Sequence, residues 1–463
     1  MVYRFDFKFL NGGIVPLFLL GLLFFFPFTG CTPSEVQSVT SLSEEEFLNP
    51  ATEYRPLALW TWLNGYMDTT KLVYELEQMK SKDMRGALIW DLGALMDREN
   101  LIPSGPSLLG DQSLSYFSLA LSTSKKLDLD LGWVAASSWN AGGGMGGRRT
   151  CGEGAIKLQP ICGWAISAKD FHSKTPKAKR ATPYSLIASK TIPYAEDKVI
   201  GYRQSSPVSL DEFTVDETFI NWSVPPGKWE VFSFFMSNTG QPLVVPSPNS
   251  SGLIIDHLSK EATTTYFDSI FNLLPSISSP DQQFKFFMHD SYEVWEANDW
   301  SPLFLKKFKS AYEYDPEPYL PLIQSHTSKD DQLTKRFLND YSKLISNMII
   351  ENHFAQSVEI AEKKGKEMII EAGHGGNVRV DPLKALGNSH IPMGEFWIRQ
   401  RHWVTKEASS AAHIYGKKLW LLSRLPDGIT GSTALRILSS SLILPFAKAS
   451  IKLSSTPFPI IQP

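Results

Sequence analysis

The stretch Phe284 to Trp295 reads F-K-F-F-M-H-D-S-Y-E-V-W and decides how the rest of the chain is interpreted. An apolar, β-prone run ends at Met288, and ionisable and aromatic residues follow at once, namely His289, Asp290, Ser291, Tyr292 and Glu293. Barrel enzymes present catalytic groups in this way, at the C-terminal face of a buried strand. A strand followed by an ordinary solvated loop is the alternative, because loops are polar in any protein.

The same alternation recurs along the chain and predicts the fold class. Further apolar strands are predicted at Leu57–Gly65, Gly86–Trp90, Leu129–Ala135, Met368–Ile370 and His390–Gly394. Their exits supply candidate pocket residues, namely Asn64, Asp91, Trp139, Asn140, Glu371, Glu395 and Trp397. Amphipathic segments such as Gln332–Lys364 predict helices between the strands. About seven βα units result, and we expect an α/β fold whose natural closure is a (β/α)8 TIM-type barrel.

Between about 153 and 255 the period changes to short alternating runs separated by Pro and Gly turns. This pattern predicts an antiparallel insertion, interpreted as a β-sandwich, between barrel parts at 51–152 and 256–419. The glycine run Gly142–Gly147 formally fits a dinucleotide-binding motif. We reject that function because no amphipathic helix opens on it, and we expect a flexible active-site loop with Arg148 and Arg149 at its rim.

The N-terminus indicates export. Arg4 and Lys8 precede an apolar run, Ile14–Phe28, that is short for a membrane span and interrupted by prolines. Phe28-Thr29-Gly30-Cys31 then resembles a bacterial lipobox. We expect a signal peptide over 1–31, lipidation of Cys31, a polar tether over 32–50, and a membrane-anchored protein of the cell envelope, in the periplasm or at the surface. An ordinary secretory signal or an anchor helix is the alternative.

Composition narrows the partners. The 463 residues carry a formal net charge of −3, so nothing indicates nucleic acid or another polyanion as a partner. Apart from Cys31, the chain has Cys151 and Cys162, which could pair in an exported protein, although spacing alone leaves this open. No Cys/His spacing typical of zinc is present.

Glu293, Glu371 and Glu395 follow successive predicted strands and indicate glycosidic-bond cleavage. In that chemistry one carboxyl protonates the leaving oxygen, while a second activates water or attacks the sugar. Carboxylates without a His/Cys set could instead hold Ca2+. A Ser–His–Asp hydrolase using Ser291 with His289 or His374 is disfavoured, because no G-x-S-x-G elbow is present.

Several motifs resemble glycoside hydrolase family 106, the α-L-rhamnosidases of bacterial glycan-degrading systems. They are W-T-W-L-N-G (60–65), M-K-S-K-D-M-R-G-A-L-I-W-D (79–91), H-D-S-Y-E (289–293), G-E-F-W (394–397) and E-A-S-S-A-A-H-I-Y-G-K-K (407–418). The resemblance implies a (β/α)8 barrel with a β-sandwich insertion and inverting hydrolysis of rhamnose-containing oligo- or polysaccharides. It also implies a calcium ion that contacts the sugar hydroxyls.

The resemblance also implies roles for individual residues. Glu293 matches the proposed general acid, and Glu395 matches a second active-site glutamate that serves as calcium ligand or helper of the base. Asn64, Asp91, Trp139, Asn140 and Asp290 match sugar-pocket positions. His289, Glu371 and Trp397 complete the set of substrate-binding candidates.

After Leu419 the sequence departs from the family, which continues with a segment like V-A-E-S-F-T-G-W that carries the base. Here Trp420–Leu435 reads W-L-L-S-R-L-P-D-G-I-T-G-S-T-A-L. Codons permitted for these residues, read two bases later, give V-A-E-S-F-T followed by G-W-H-Y-W-Q-H-S-P. We therefore expect a frameshift, an aberrant tail over 420–463 and an incomplete barrel.

Such a chain would expose sheet edges and lack the group that activates water. Three hypotheses follow. The first is α-L-rhamnoside hydrolysis, the second a catalytically dead lipoprotein fragment or sugar-binding remnant, and the third a glycoside hydrolase of another specificity.

Overall fold

The computed structural model describes residues 43–95, 97, 99, 101–143, 241–279, 282–294, 298–324, 331–372, 380–397, 403–417 and 421–425, with separate strands between 164 and 238. Two compact units, Met1–Pro50 and Ala51–Pro463, are described separately. Helix α1 (Glu44–Leu48) lies in the first. All other elements lie in the second. No helix among the described residues is both long and apolar enough to cross a bilayer.

The strands of the second unit are β1 (Leu57–Leu63), β2 (Gly86–Leu92), β3 (Asp130–Ser137), β4 (Trp164–Ser167), β5 (Tyr184–Ile187), β6 (Lys198–Tyr202), β7 (Val208–Ser209), β8 (Thr214–Val215), β9 (Phe219–Trp222), β10 (Glu230–Asn238), β11 (Phe286–His289), β12 (Asn298–Asp299), β13 (Glu367–Glu371), β14 (Ile391–Trp397) and β15 (Leu421–Leu425). Its helices are α2 (Thr69–Ser81), α3 (Asp111–Leu127), α4 (Lys260–Phe271), α5 (Phe304–Tyr312), α6 (Asp331–Ile349), α7 (Gln356–Lys363), α8 (Pro382–Asn388) and α9 (Trp403–Ile414).

A parallel sheet organises the second unit, in the order β1-β2-β3-β11-β13-β14-β15. It curls into a half-barrel, with helices between successive strands. The predicted α/β architecture of parallel βα units is therefore confirmed. Within the described residues β1 and β15 are the edges of this sheet. The aberrant character of 420–463 stays a prediction; its described part is β15, which pairs parallel with β14.

Two apolar cores lie on opposite faces of the sheet because strand side chains alternate. The inner core fills the concave face and comprises Leu57, Leu59, Leu88, Trp90, Val134, Phe286, Met288, Ile369, Ile391 and Met393. The outer core packs the other face against the helices and includes Trp62, Trp133, Phe287, Met368 and Ile370. Both faces are buried, which explains why the strands read as continuous apolar runs.

Local signals set the helix boundaries. The Asp68 side chain accepts hydrogen bonds from the backbone N–H groups of Thr70 at 2.8 Å and Lys71 at 3.0 Å, and so caps α2. Buried Leu72, Leu76 and Met79 give α2 its stripe at helical spacing.

The predicted single helix over Gln332–Lys364 is wrong in one respect. A π-helical segment, Ile350–Ala355, separates α6 from α7. Its wider turn carries two buried polar side chains. Asn352 donates to the Leu258 carbonyl at 2.7 Å, and the His353 ring meets the Thr263 hydroxyl at 3.1 Å. These polar contacts stand where the sequence pattern predicted regular helix.

The insertion contains two antiparallel sheets, in the orders β12-β4-β10-β6-β7 and β5-β9-β8. The predicted change from parallel to antiparallel strands is therefore confirmed, while the sandwich arrangement stays a prediction. One strand comes from outside the predicted boundary of 255. Strand β12 pairs with β4 through Asn298↔Ile166 and Asp299↔Ala165, and it belongs to the segment after β11.

A charged cluster closes the opposite end of the sheet, at the strand starts. Buried Arg85 and half-exposed Lys285 each donate to Asp130 Oδ2 at 2.9 Å. The Arg85 guanidinium also lies 4.5 Å from the ring centre of Phe286, which is buried in the inner core. The two cations thus lie over the start of the inner core, and the Asp130 carboxylate offsets part of their positive charge.

Candidate active site

Carboxyl groups converge at the C-terminal end of the sheet because side chains alternate between the two faces along each strand. Asp290, Glu371 and Glu395 lie two residues beyond Met288, Ile369 and Met393, which are inner-core residues on three neighbouring strands. Side chains two residues apart on a strand point to the same face. The three carboxyls therefore continue the concave face at its open end. Glu395 lies inside β14, whereas the sequence predicted that the strand would end before it.

Glu371 is the centre of this carboxyl cluster. It is 2% exposed, and its Oε1 has no hydrogen-bond partner among the described residues. Burial raises the pKa of Glu371 well above its ordinary value, and the charges of Asp290, Glu395 and Glu293 raise it further. Asp290 and Glu371 are hydrogen-bonded, and burial raises the pKa of Asp290 to about 6. Burial and mutual repulsion therefore favour a proton shared by the Asp290–Glu371 pair.

Glu293 lies just beyond β11 and is fixed by three side chains. The Ser291 hydroxyl donates to Glu293 Oε1 at 2.8 Å. The backbone N–H of Glu293 donates to Asn140 Oδ1 at 3.0 Å. The side-chain amides of Asn140 and Gln241 both donate to the backbone carbonyl of Glu293 at 2.8 Å. The only proton of the Ser291 hydroxyl is used on a carboxylate, which is the wrong arrangement for a serine nucleophile activated by histidine.

His289 precedes Asp290 by one residue, so its side chain points to the opposite face and lies on the helix side of the sheet. It is 5% exposed and forms a buried trio with His257 and His353, with ring centres 4.3 Å apart for His257 and His353 and 4.5 Å apart for His289 and His353. Burial lowers the pKa of His257 to about 4 and that of His289 to about 3, and lowers the pKa of His353 well below its ordinary value. All three imidazoles are neutral at physiological pH.

A small cavity lies between the histidine trio and the carboxyl cluster. Its volume is about 10 Å³, room for about one water molecule. Its walls include Trp139, Asp290, Ser291, Tyr292 and His289, whose buried Nε2 has no hydrogen-bond partner among the described residues. Trp139 also packs against the inner core. The predicted residues Trp139, His289 and Asp290 therefore do lie together.

Asn64 follows β1 directly, and Asp91 lies near the end of β2. Asn64 Nδ2 donates to the Ile102 carbonyl at 3.0 Å, and its Oδ1 accepts from the Ala94 N–H at 2.8 Å. Asp91 is 2% exposed and accepts a hydrogen bond from the Ser137 hydroxyl. Burial raises the pKa of Asp91 to about 6. Asp91 points to the same face of the sheet as Ile89, an outer-core residue, and so to the face opposite the carboxyl cluster.

Other predicted residues have no described side chain. Trp397 ends β14, but only its backbone is described. Cys31, Cys151, Cys162, Arg148, Arg149 and His374 lie outside the described residues.

Sequence reasoning missed Gln241, His257 and His353. None of them follows a parallel strand, so the strand-exit signal that found the carboxyls could not find them. Among the described residues no group of three or more His, Cys, Asp or Glu side chains has an arrangement that could hold a metal ion.

Comparisons with known proteins give the family of the chain and the fold that it shares. The model of glycoside hydrolase family 106, described as alpha-L-rhamnosidase, matches residues 168–423, more than half of the chain. A protein of Formosa agariphila that is provisionally named a beta-glucuronidase is 24% identical over 442 residues, 87% of this chain and 36% of that protein. The solved structure of a rhamnosidase from Novosphingobium sp. PP1Y is similar, with a TM-score of 0.66 and 16% identity over 90% of this chain and 56% of that one. The chain thus spans about a third and just over half, respectively, of these two proteins.

Proposed function

This chain belongs to glycoside hydrolase family 106, the α-L-rhamnosidases, and we propose that it hydrolyses terminal α-L-rhamnosidic bonds in plant or bacterial glycans. The observation that carries this proposal is the meeting of four carboxyls at the open end of the sheet, where the charges of Asp290, Glu395 and Glu293 all act on Glu371. Glycoside hydrolysis needs carboxyls of different protonation state side by side.

In the proposed mechanism Glu293 is the general acid that protonates the leaving glycosidic oxygen. The Ser291 hydroxyl donates to Glu293 Oε1 and so orients this carboxyl. A second carboxylate then activates water on the opposite face of the sugar, which inverts the anomeric centre. The family resemblance implies that this base lies in the segment after Leu419, with Glu395 on β14 as calcium ligand or helper of the base.

The Asp290–Glu371 pair provides the polar wall of the pocket. Because burial and mutual repulsion raise the pKa of both carboxyls, the pair favours sharing one proton over carrying two negative charges. Trp139, which packs on the inner core, offers an aromatic face for the apolar side of a deoxy sugar. We propose that these groups bind the rhamnosyl unit.

The calcium ion that the family resemblance implies is also part of the proposal. Carboxylate oxygens are the ligands that Ca2+ prefers, and Glu395 is the residue we propose as its protein ligand. When bound, calcium would orient sugar hydroxyls and offset the negative charge of the cluster. Loss of activity in EDTA that calcium restores supports this assignment, and activity insensitive to EDTA contradicts it.

Three further features belong to the same proposal. The half-barrel closes as a (β/α)8 barrel, the two antiparallel sheets pack as a sandwich, and Cys31 carries a lipid that anchors the protein in the cell envelope. The lipobox at Phe28–Cys31 motivates the last point. Incorporation of radiolabelled palmitate that disappears in Cys31→Ser supports the anchor, and unchanged labelling contradicts it.

Rhamnose release from an aryl α-L-rhamnoside tests the activity. The sequence as given and a version that follows the alternative frame after Leu419 are assayed together, each with Glu293→Gln as its control. We expect release that Glu293→Gln lowers by about 100-fold or more, the usual contribution of a general acid. No release from either folded version contradicts the proposal. If calorimetry then detects rhamnose binding, the protein is a sugar-binding remnant.

A second specificity follows from the Formosa relative's provisional name. An aryl β-D-glucuronide is therefore assayed beside the rhamnoside. Preferential cleavage of the glucuronide, abolished by Glu293→Gln, would keep the glycoside hydrolase chemistry and replace the substrate.

A further inference from the structure

Both polar atoms of the Asn140 side chain are hydrogen-bonded to the backbone of Glu293. Asn140 is 1% exposed, its Oδ1 accepts from the Glu293 backbone N–H, and its Nδ2 donates to the Glu293 carbonyl. An amide that bonds to both backbone groups of one residue holds that residue in place. This contrasts with the sugar-pocket role that the family resemblance implies for Asn140.

Gln241 adds a second grip from the end of the insertion. Its Nε2 donates to the same Glu293 carbonyl at 2.8 Å. The Gln241 carbonyl accepts from the Ile254 N–H at 3.1 Å, while the Ile255 N–H donates to the Ala141 carbonyl at 3.0 Å. Through these two hydrogen bonds, Ile254 and Ile255 connect Ala141, just before the insertion, with Gln241, near the end of the insertion.

The chain after Glu293 is tied to the insertion as well. Strand β12 begins five residues later, at Asn298, and pairs with β4, which in turn pairs with β10. Strand β10 ends at Asn238, shortly before Gln241. The connection therefore returns to its starting point. It runs from Glu293 along the chain to β12, through strand pairing to β4 and β10, and from Gln241 back to Glu293 by a side-chain hydrogen bond.

Asn140 is itself held in place by a strained turn. Ser138 has a φ of +131°, a region that residues other than glycine rarely adopt. The Ser138 carbonyl accepts from Trp90 Nε1 at 3.2 Å, and its hydroxyl accepts from the Val245 N–H at 3.1 Å. These bonds hold the turn that delivers Asn140 to Glu293.

We propose that Asn140 and Gln241 are positioning residues for the general acid, and that the inserted sheet is part of the support that aims Glu293. The inference rests on the proposed role of Glu293. It predicts that the insertion contributes to catalysis through the backbone of Glu293, in addition to any contact with substrate.

The test uses Asn140→Ala and Gln241→Ala in the full chain, with Asn352→Ala as matched control. Asn352 is also a buried amide that donates to a backbone carbonyl, that of Leu258 at 2.7 Å. Asn140→Asp serves as a near-isosteric second variant, because it keeps the acceptor for the Glu293 N–H and loses the donor. Thermal unfolding of all variants confirms that each is folded.

The first readout is hydrogen exchange of the Glu293 amide, measured by mass spectrometry with electron-transfer fragmentation. We expect exchange about 10-fold faster or more in Asn140→Ala, and unchanged exchange in Asn140→Asp and Asn352→Ala, since one lost hydrogen bond of about 1.4 kcal/mol corresponds to that factor. Unchanged exchange in Asn140→Ala overturns the inference whether or not the protein is active.

The second readout is the dependence on the leaving group. An alkyl rhamnoside needs its leaving oxygen protonated, whereas a 2,4-dinitrophenyl rhamnoside does not. We expect Asn140→Ala and Gln241→Ala to lower kcat for the alkyl substrate by about 10- to 100-fold, to change the dinitrophenyl rate less than about threefold, and to leave KM nearly constant.

Equal losses on both substrates with a raised KM would make Asn140 a sugar ligand and overturn the inference. Glu293→Gln in the same series separates the two proposals. If Glu293→Gln shows no leaving-group dependence, the proposed acid is wrong. If it does and Asn140→Ala does not, only the positioning inference fails.

Discussion

Replacing Asp91 by Asn is expected to stabilise the protein at high pH. Asp91 is 2% exposed, and burial raises its pKa from 3.8 to about 6 despite the hydrogen bond from Ser137. At 1.36 kcal/mol per pKa unit, this shift corresponds to about 3 kcal/mol. The folded protein holds the proton more tightly than the unfolded chain does. The group's contribution is therefore most favourable below pH 4 and is lost as the pH rises through about 6.

The ionised carboxyl therefore costs the fold about 3 kcal/mol at pH 8. Asn carries no charge and keeps an acceptor oxygen for Ser137, although an imperfect fit of its NH₂ group should cost about 1 kcal/mol. We expect Asp91→Asn to be more stable than the parent by about 2 kcal/mol at pH 8. At pH 4.5, where the carboxyl penalty is about 1 kcal/mol, the two proteins should be nearly equal.

Urea unfolding followed by tryptophan fluorescence at both pH values measures this difference. Asp130→Asn is the matched control, because Asp130 has cationic partners in Arg85 and Lys285 and should lose stability at pH 8. A less stable Asp91→Asn at pH 8 would refute the reasoning. It would mean that the negative charge of Asp91 is used by the folded protein.

Three further predictions concern stability. His289→Phe removes an imidazole that must stay neutral when buried, because its pKa is about 3 in the fold. Between pH 7.5 and pH 5 we expect the free energy of unfolding, measured in urea, to fall by about 2 kcal/mol more in the parent than in this variant. Equal losses of stability would count against the prediction. Arg85→Ala uncovers Phe286 and breaks a buried ion pair, so calorimetry should show a loss of about 3 kcal/mol, against less than about 1 kcal/mol for the half-exposed Lys285→Ala. Glu313→Gly relieves a φ of +60° at the end of α5 and should gain about 1 kcal/mol in thermal unfolding, whereas a lower melting temperature would show that the left-handed turn is not strained.

The parallel architecture could be predicted because it is encoded locally. Apolar runs such as Gly86–Trp90 act within a few residues, and the structure confirms this strand. The carboxyls at the strand ends could be predicted for the same reason. What was missed depends on distance along the chain. Gln241 reaches Glu293 across 52 residues, and Asn140 across 153, so no local pattern announces either contact.

Strand alternation was not part of the sequence prediction. His289 and Asp290 are neighbours in sequence and line the same small cavity, but alternation along β11 directs His289 towards the helix layer and Asp290 towards the concave face. The π-helical segment that brings His353 to His289 had no sequence signal, because tertiary hydrogen bonds and not helix propensity hold it.

The pairing of barrel and insertion has a consequence for the order of folding. About 100 residues separate Gly142 from Gln241, and closing a flexible loop of that length costs about 4 kcal/mol of chain entropy. Strands β8 and β9 in between pair over a short separation, so they can form early and shorten the loop that has to be closed. The turn that carries Glu293 depends on the later pairing of the insertion with the barrel. A defect in the insertion would show first as slow maturation of activity in a protein whose barrel is already compact.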